Sequence, residues 1–144
     1  MPQMKNKSIT WVFGALILLS VGCARLTEVS KAVWGSSTKA LEESRVDALG
    51  RTYQCGYDNC FEEVLKIAKD NHWTVFINEK KRSRIVLMGI PDSISTTEVG
   101  VFFLVFGPQE TKLEVASLSP QAKRTAAEII FTGISKAYEE ISGK

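Results

Sequence analysis

The sequence has few of the residues that build metal and catalytic centres. Its 144 residues include three cysteines and one histidine, too few for a scaffold of several zinc ions. The common nucleophile, phosphate-binding, dinucleotide-binding and zinc-protease motifs are all missing. The single histidine, His72, has no clustered cysteine and lies at the end of a predicted helix, where an imidazole suits capping. We therefore expect a protein that is not an enzyme and holds neither a metal nor a cofactor.

An excess of charge of one sign is also lacking. The chain has 18 Lys and Arg against 16 Asp and Glu, and Lys5 and Lys7 account for the difference. From residue 23 onward the chain is formally neutral, so its pI near 8.4 does not indicate a nucleic-acid partner. Hydrophobic residues make up 44% of the chain and charged residues 24%, which excludes wholesale disorder. This composition and length favour one globular domain with room for an appendage.

Long apolar runs are confined to the N-terminal segment. Residues 8–24 carry no charge, but their strongly apolar part, residues 9–19, is shorter than the roughly 20 residues of a bilayer-spanning helix. A short apolar run behind two lysines is typical of the central region of an export signal. The run ends in Leu19-Ser20-Val21-Gly22-Cys23, with small residues and a glycine directly before the cysteine.

This ending resembles the lipobox of bacterial lipoproteins, although Ser20 stands where that family usually has leucine. The resemblance implies that residues 1–22 are a signal peptide and that cleavage falls before Cys23. The Cys23 thiol would then carry a diacylglycerol, with fatty acyl chains such as palmitate as the membrane anchor. Ala24 in place of aspartate implies, by the Gram-negative sorting rule, an anchor in the outer membrane that faces the periplasm. Two alternatives stay open: cleavage after Ala24 would secrete the protein, and an uncleaved run would hold it in the inner membrane.

Residues 23–50 are expected to form the lipidated N-terminus and a helical spacer. Thr38–Leu49 is rich in helix formers, and Gly50 follows at the position that favours a helix end. The apolar stripe of this helix, which includes Leu41, is thin. We therefore expect the spacer helix to be mostly solvated.

Residues 51–144 are expected to form one α+β domain. Alternating apolar residues predict strands, and stripes with the helical period predict two helices. The predicted order is β-α-β-β-β-β-α, a mainly antiparallel sheet of about five strands with two helices packed on one face. The predicted strands cover residues 51–55, 73–77, 85–88, 99–106 and 112–118. The first helix is capped by Asp58 or Asn59, and the second runs from Pro120 to Ile141.

This order, behind a lipidated cysteine and a spacer, resembles small bacterial envelope lipoproteins. It also resembles, more distantly, the grip-like domains of the lipoprotein accessory to the outer-membrane β-barrel assembly machine. The likeness is one of topology, and no motif residues match. It therefore implies no functional residues for this chain.

Cys55 and Cys60 flank the predicted turn between the first strand and the first helix, with four residues between them. Thiols that can meet in an exported protein usually form a disulfide, so we expect a structural bond. Two buried free thiols are one alternative. A redox role is another, because Cys60 near a helix N-terminus would have a lowered pKa.

Four basic residues fall within the run Lys80-Lys81-Arg82-Ser83-Arg84. An exposed charged hairpin turn explains this run without any partner. Contact with an anionic surface is the alternative, through lipid headgroups, glycan phosphates or an acidic partner. We keep Lys80, Lys81, Arg82 and Arg84 as candidate contact residues.

The predicted strand at residues 99–106 is apolar on both of its faces. One row consists of Val99, Val101, Phe103 and Val105, and the other of Phe102, Leu104 and Phe106. Which row faces the helices stays open. Two helices cover one face of such a sheet, so the second row needs the spacer helix, a partner chain or lipid. An uncovered row is a candidate partner surface.

These features predict a lipid-anchored bacterial envelope protein that acts as a non-catalytic interaction or assembly module. We expect one membrane contact, through the anchor, and an envelope protein as partner. One alternative is a periplasmic thiol-redox protein that uses Cys55 and Cys60. Another is a carrier of a small apolar ligand, such as a lipid, held between the sheet and the last helix.

Overall fold

The computed structural model describes residues 37–141, and within this range the chain has the predicted α+β fold. The predicted signal peptide, Cys23 and much of the predicted spacer lie outside the described residues. All five strands belong to a unit that spans Lys39–Lys144. The helices are α1 (described from residue 37 to residue 43), α2 (Tyr57–Asp70) and α3 (Pro120–Ala137). The strands are β1 (Leu49–Tyr53), β2 (Thr74–Glu79), β3 (Arg84–Met88), β4 (Val99–Gly107) and β5 (Glu110–Ala116).

The strands form one antiparallel sheet in the order β1-β5-β4-β3-β2. The end of β1 is covered by the chain after α3, because Gln54 N–H donates to Glu139 O and Ile141 N–H donates to Thr52 O, both at 2.8 Å. The other edge strand, β2, carries a bulge at Phe76. The two edges are therefore closed by different means, one by pairing and one by an irregularity that disrupts further pairing.

The helix ends follow local capping chemistry, and one predicted cap is wrong. Gly56, not Asp58 or Asn59, precedes α2 as its N-cap, in an extended conformation and without a side-chain hydrogen bond. The amide of Asn71 closes the other end of α2 by donating to Ile67 O at 2.8 Å, the capping role that the sequence suggested for His72. As predicted, Ser119 caps α3: its Oγ accepts from Ala122 N–H at 3.3 Å.

Helices α2 and α3 both pack on one face of the sheet, as predicted. This first face supplies the large core, in which the strand residues Ile85, Leu87, Val99 and Val101 are fully buried. Helix α3 ends at Ala137, before the predicted Ile141, because the following residues turn to pair with β1. The alternating rows of the strands therefore meet a continuous helical layer on this face.

The opposite, second face is covered in part by α1, the predicted spacer helix, in which Leu41 is the one buried residue among those described. Leu41 is 3% exposed and packs with Val86, Phe102 and Ala116. Gly100 makes this possible, since a Cβ at that position would lie 2.9 Å from Leu41 Cδ2. Because Gly100 has no side chain, the second face has a notch at this position, and the side chain of Leu41 fills it. The predicted helix over residues 38–49 also ends early, as a 3-10 turn at Ser44–Asp47 leads into β1.

Ion pairs fasten α1 and the 3-10 turn around this notch. Arg45 donates to Glu114 at 2.8 Å and stacks over the Phe102 ring, 4.5 Å from its centroid. Glu42 pairs with Arg84 at 3.2 Å and with Arg45 at 3.4 Å. Burial opposes ionisation of Glu114, but hydrogen bonds from Arg45 and Lys112 outweigh it, so the pKa of Glu114 is lowered. The second face is thus held by a small apolar cluster around Leu41 and by the ion pairs beside it.

Candidate functional site

Three loops converge at one end of the sheet, and we call this region the three-loop end. It comprises the β1–α2 turn (residues 54–56), the β2–β3 turn (residues 80–83) and the β4–β5 hairpin turn (residues 107–110). Strands β1, β2 and β4 all run toward this end, because each pairs antiparallel with the strand that leaves it. The three sequence features chosen as candidate sites, the cysteine pair, the basic run and Phe106, meet here.

The predicted disulfide between Cys55 and Cys60 is present, and their Cα atoms lie 5.8 Å apart. The two cysteines are 1% and 0% exposed. The carbonyl of Cys55 accepts a hydrogen bond from Thr111 Oγ1 at 2.8 Å, which ties the β1–α2 turn to β5. Thiol–disulfide exchange requires access to a sulfur, so this burial favours a structural bond over a redox one.

The basic run is largely neutralised by its own neighbours. Lys80 Nζ pairs with Asp58 at 3.0 Å and with Glu62 at 3.3 Å, and the hydrogen bond to Asp58 is the largest cause of the raised pKa of Lys80. Arg84 is buried between Glu79 and Glu42. Arg82 is 3.8 Å from Glu79.

Lys81 differs from the other three candidate cations, because within residues 37–141 it has no ion pair. Tyr57 fixes the same turn from the other side, since its hydroxyl donates to Lys80 O. The sequence run therefore predicts four available positive charges, and the structure leaves one of them without a carboxylate partner. A broad anion-binding patch has little support at this turn.

The three residues predicted as the partner row of β4 differ in how far they are exposed. Phe102 is 4% exposed under Arg45 and belongs to the second-face cluster. Leu104 is partly buried, and Phe106 is 61% exposed. Val105, which alternation assigns to the helix-covered row, is also 52% exposed. Val105 and Phe106 are consecutive residues at the end of β4, and we call this exposed apolar pair the apolar ridge of the three-loop end.

Sequence reasoning missed Val105 because alternation takes no account of where the covering layer ends. Val105 lies beside the start of α2 but stays half exposed, and the register of β4 with β5 shifts between Val105 and Gly107. The sequence does contain one signal for this exposure, which is the difference in length between two predicted strands. The run of residues 99–106 is longer than the predicted neighbouring strand of residues 85–88.

Two shallow clefts flank the hairpin turn at Pro108 and Gln109. The first is about 320 Å³ and lies between this turn, the start of α2 and Val105. The second is about 410 Å³ and lies between the turn, Gln54 and Ile141. A Cβ at Gly56 would lie 3.1 Å from Pro108 O, so the hairpin packs directly on the β1–α2 turn. The apolar ridge thus stands on loops that are bonded or packed to one another.

No family model matches the chain, and no curated protein matches it either. Within residues 37–141, no group of His, Cys, Asp and Glu is arranged to hold a metal ion. None of the helices in this described range is long and apolar enough to cross a membrane.

Proposed function

We propose that the protein is a lipid-anchored component of the bacterial envelope, and that its α+β domain is a non-catalytic module that binds a partner protein through the three-loop end. The lipobox resemblance at Cys23 supports the anchor and the envelope location. The Cys55–Cys60 bond agrees with an oxidising compartment. The outer membrane, with the domain facing the periplasm, is the location that Ala24 favours.

The single observation that carries the binding function is the apolar ridge. Val105 and Phe106 are adjacent, large and more than half exposed. Large apolar side chains exposed on a fixed scaffold are typical of binding surfaces. The loops beneath are held by the disulfide, by the Thr111 hydrogen bond and by the Tyr57 hydrogen bond. Such pre-organisation lowers the conformational entropy lost on binding.

The internal ion pairs favour a protein partner over an anionic membrane surface. Lys80 and Arg84 are already satisfied by carboxylates, so their attraction to lipid headgroups is weakened. The lipid-carrier alternative has less support, because Ala126, Ile130 and Ile134 of α3 are fully buried against the first face and fill that space. Burial of both cysteines leaves the redox alternative without an accessible sulfur.

Site-specific photocrosslinking in cells tests the binding surface. A photoreactive residue at position 106 should give a discrete crosslinked product. The same residue at position 118 is the matched control, because Leu118 is 73% exposed and lies at the opposite end of β5. Equal products from both positions, or none from position 106, would contradict the proposal.

Metabolic labelling with a fatty acid tests the anchor separately. Wild-type protein should take up the label, and Cys23→Ala should lose it while Cys55→Ala and Cys60→Ala keep it. A label that persists in Cys23→Ala would exclude lipidation at this residue.

A further inference from the structure

Strand β4 continues past the end of its neighbour β3. The two strands pair from Leu87 with Val99 to Arg84 with Phe102, and Phe103 N–H then donates to Ser83 O at 2.9 Å. Beyond this point the chain leaves the sheet as the 3-10 turn Lys80–Arg82. Pairing between β4 and β5 goes on to Gly107 with Glu110. The last part of β4 therefore has a neighbour on one side only.

The turn between β2 and β3 also removes one hydrogen bond that regular pairing of β3 with β4 would make. Ser83 N–H donates to Lys80 O at 3.1 Å, so it is not given to Phe103 C=O. Alternate residues of a strand direct their backbone groups to the same neighbour, so Val105 N–H points the same way as Phe103 N–H. Within residues 37–141, no strand lies there to pair with the Phe103 C=O and the Val105 N–H.

Several bonds hold this gap open. Ser83 adopts a left-handed conformation, with φ of 52°, and turns the chain away from β4. Tyr57 holds the turn by its bond to Lys80 O, and Lys80 itself is paired with Asp58 and Glu62. The first cleft, lined by Tyr57 and Val105, opens beside the same stretch of β4. The open edge is a fixed feature of the fold.

We infer that this edge accepts an extended segment of the partner protein, which adds to β4 as a short strand beside Val105. This inference rests on the proposed function and specifies its partner. A polypeptide backbone offers a donor and an acceptor at strand spacing, which an acyl chain or a headgroup does not. Side chains of the added segment alternate between the first cleft on one face and Leu104 and Phe106 on the other.

Charge specifies the segment further. Lys81 lies in the turn beside the open edge without a carboxylate partner among the described residues. An acidic residue in the added segment would complement this charge. The inferred occupant is therefore an extended segment with alternating apolar residues and one nearby acidic residue.

A displayed library of random linear peptides, selected on the immobilised full chain, tests the inference. The selected peptides should show apolar alternation with an acidic residue. Val105→Pro removes the N–H and blocks the edge, so it should weaken their binding about tenfold or more. Val105→Thr keeps both the N–H and the branched side chain and should retain binding within about threefold. Lys81→Glu should cause a smaller loss that depends on salt concentration.

Amide exchange by NMR gives an answer that does not depend on how Val105→Pro folds. The Val105 amide should exchange quickly in the free protein and become protected when a selected peptide binds. If peptide binding protected the amides of β2 instead, the inference would be overturned. It would also be overturned if the peptides bound Val105→Pro as tightly as Val105→Thr. Failure to select any peptide would also overturn it.

The same set separates this inference from the proposed function. Peptides that lose binding to Phe106→Asp but not to Val105→Pro would leave the apolar ridge as the binding surface and refute strand addition. If the photoreactive residue at position 106 gave no crosslinked product in cells, the proposed function itself would be refuted.

Discussion

The two faces of the sheet are stabilised in different ways. The first face is closed by two helices and contains a continuous apolar core around Val101 and Phe103. The second face is closed over a small area by Leu41, and the cover is fastened by Arg45, Glu42 and their partners. Apolar burial scales with area, whereas partly exposed ion pairs contribute little each. Most of the folding free energy therefore comes from the first face, and the second face is the more easily opened one.

Truncation of adjacent phenylalanines on β4 gives the largest expected contrast between the faces. Phe103 packs against Phe61 and Tyr57, with ring centroids 5.0 and 5.9 Å away, so Phe103→Ala should lower the free energy of unfolding by about 3–5 kcal/mol. Phe102→Ala should cost about 1–3 kcal/mol, because its thin cover can close over the space. Urea denaturation measures both. Equal losses would show that the faces contribute alike.

Filling the notch should produce an intermediate effect. A methyl group at Gly100 would lie 2.7 Å from the Phe102 ring and 2.9 Å from Leu41, so Gly100→Ala should displace α1 and destabilise the protein by about 1–2 kcal/mol. Gly50→Ala is the matched control on the same face, since its methyl group would meet mainly the flexible end of Lys112, at 2.9 Å. Hydrogen exchange in residues 39–47 should rise only in Gly100→Ala. If exchange in these residues did not change in Gly100→Ala, the docking of α1 would not depend on the space at Gly100.

Acidification should give the smallest effect. The pKa of Glu114 is lower in the folded protein than in the unfolded chain, so its contribution is complete above the ordinary pKa of glutamate and disappears as the pH falls through the lowered value. Solvent screening keeps this contribution below about 1 kcal/mol. Exchange in residues 39–47 should therefore increase in acid for wild type and much less for Glu114→Gln. An identical pH response in both would assign the effect to other carboxylates.

Local patterns predicted the parts of the fold that depend on local chemistry. The element order, the Ser119 cap and the cysteine bond follow from residue spacing along the chain. The docking of α1 does not, because it depends on a notch at Gly100 that lies far along the chain from Leu41. A thin apolar stripe predicts a solvated helix unless the opposing surface has a hole of the right size.

The candidate site shows the same division. Phe106 could be chosen from alternation, and the charged run could be recognised as a turn. The neutralisation of Lys80 could not, because Asp58 and Glu62 reach it from a different element. Exposure of Val105 depends on the relative lengths and register of β3 and β4, which are properties of the assembled sheet. Single-strand patterns do not contain that information.

The different closures of the two sheet edges bear on how the protein behaves at high local concentration. Open β-edges of neighbouring molecules tend to join and grow into fibrils. Here the segment 139–141 covers the end of β1 through bonds at Thr52 and Gln54, and Arg51 pairs with Glu140 at 3.1 Å. The bulge at Phe76 breaks the repeat that a second copy would need along β2. These two features limit sheet-to-sheet growth at β1 and β2, and they leave the end of β4 as the open edge.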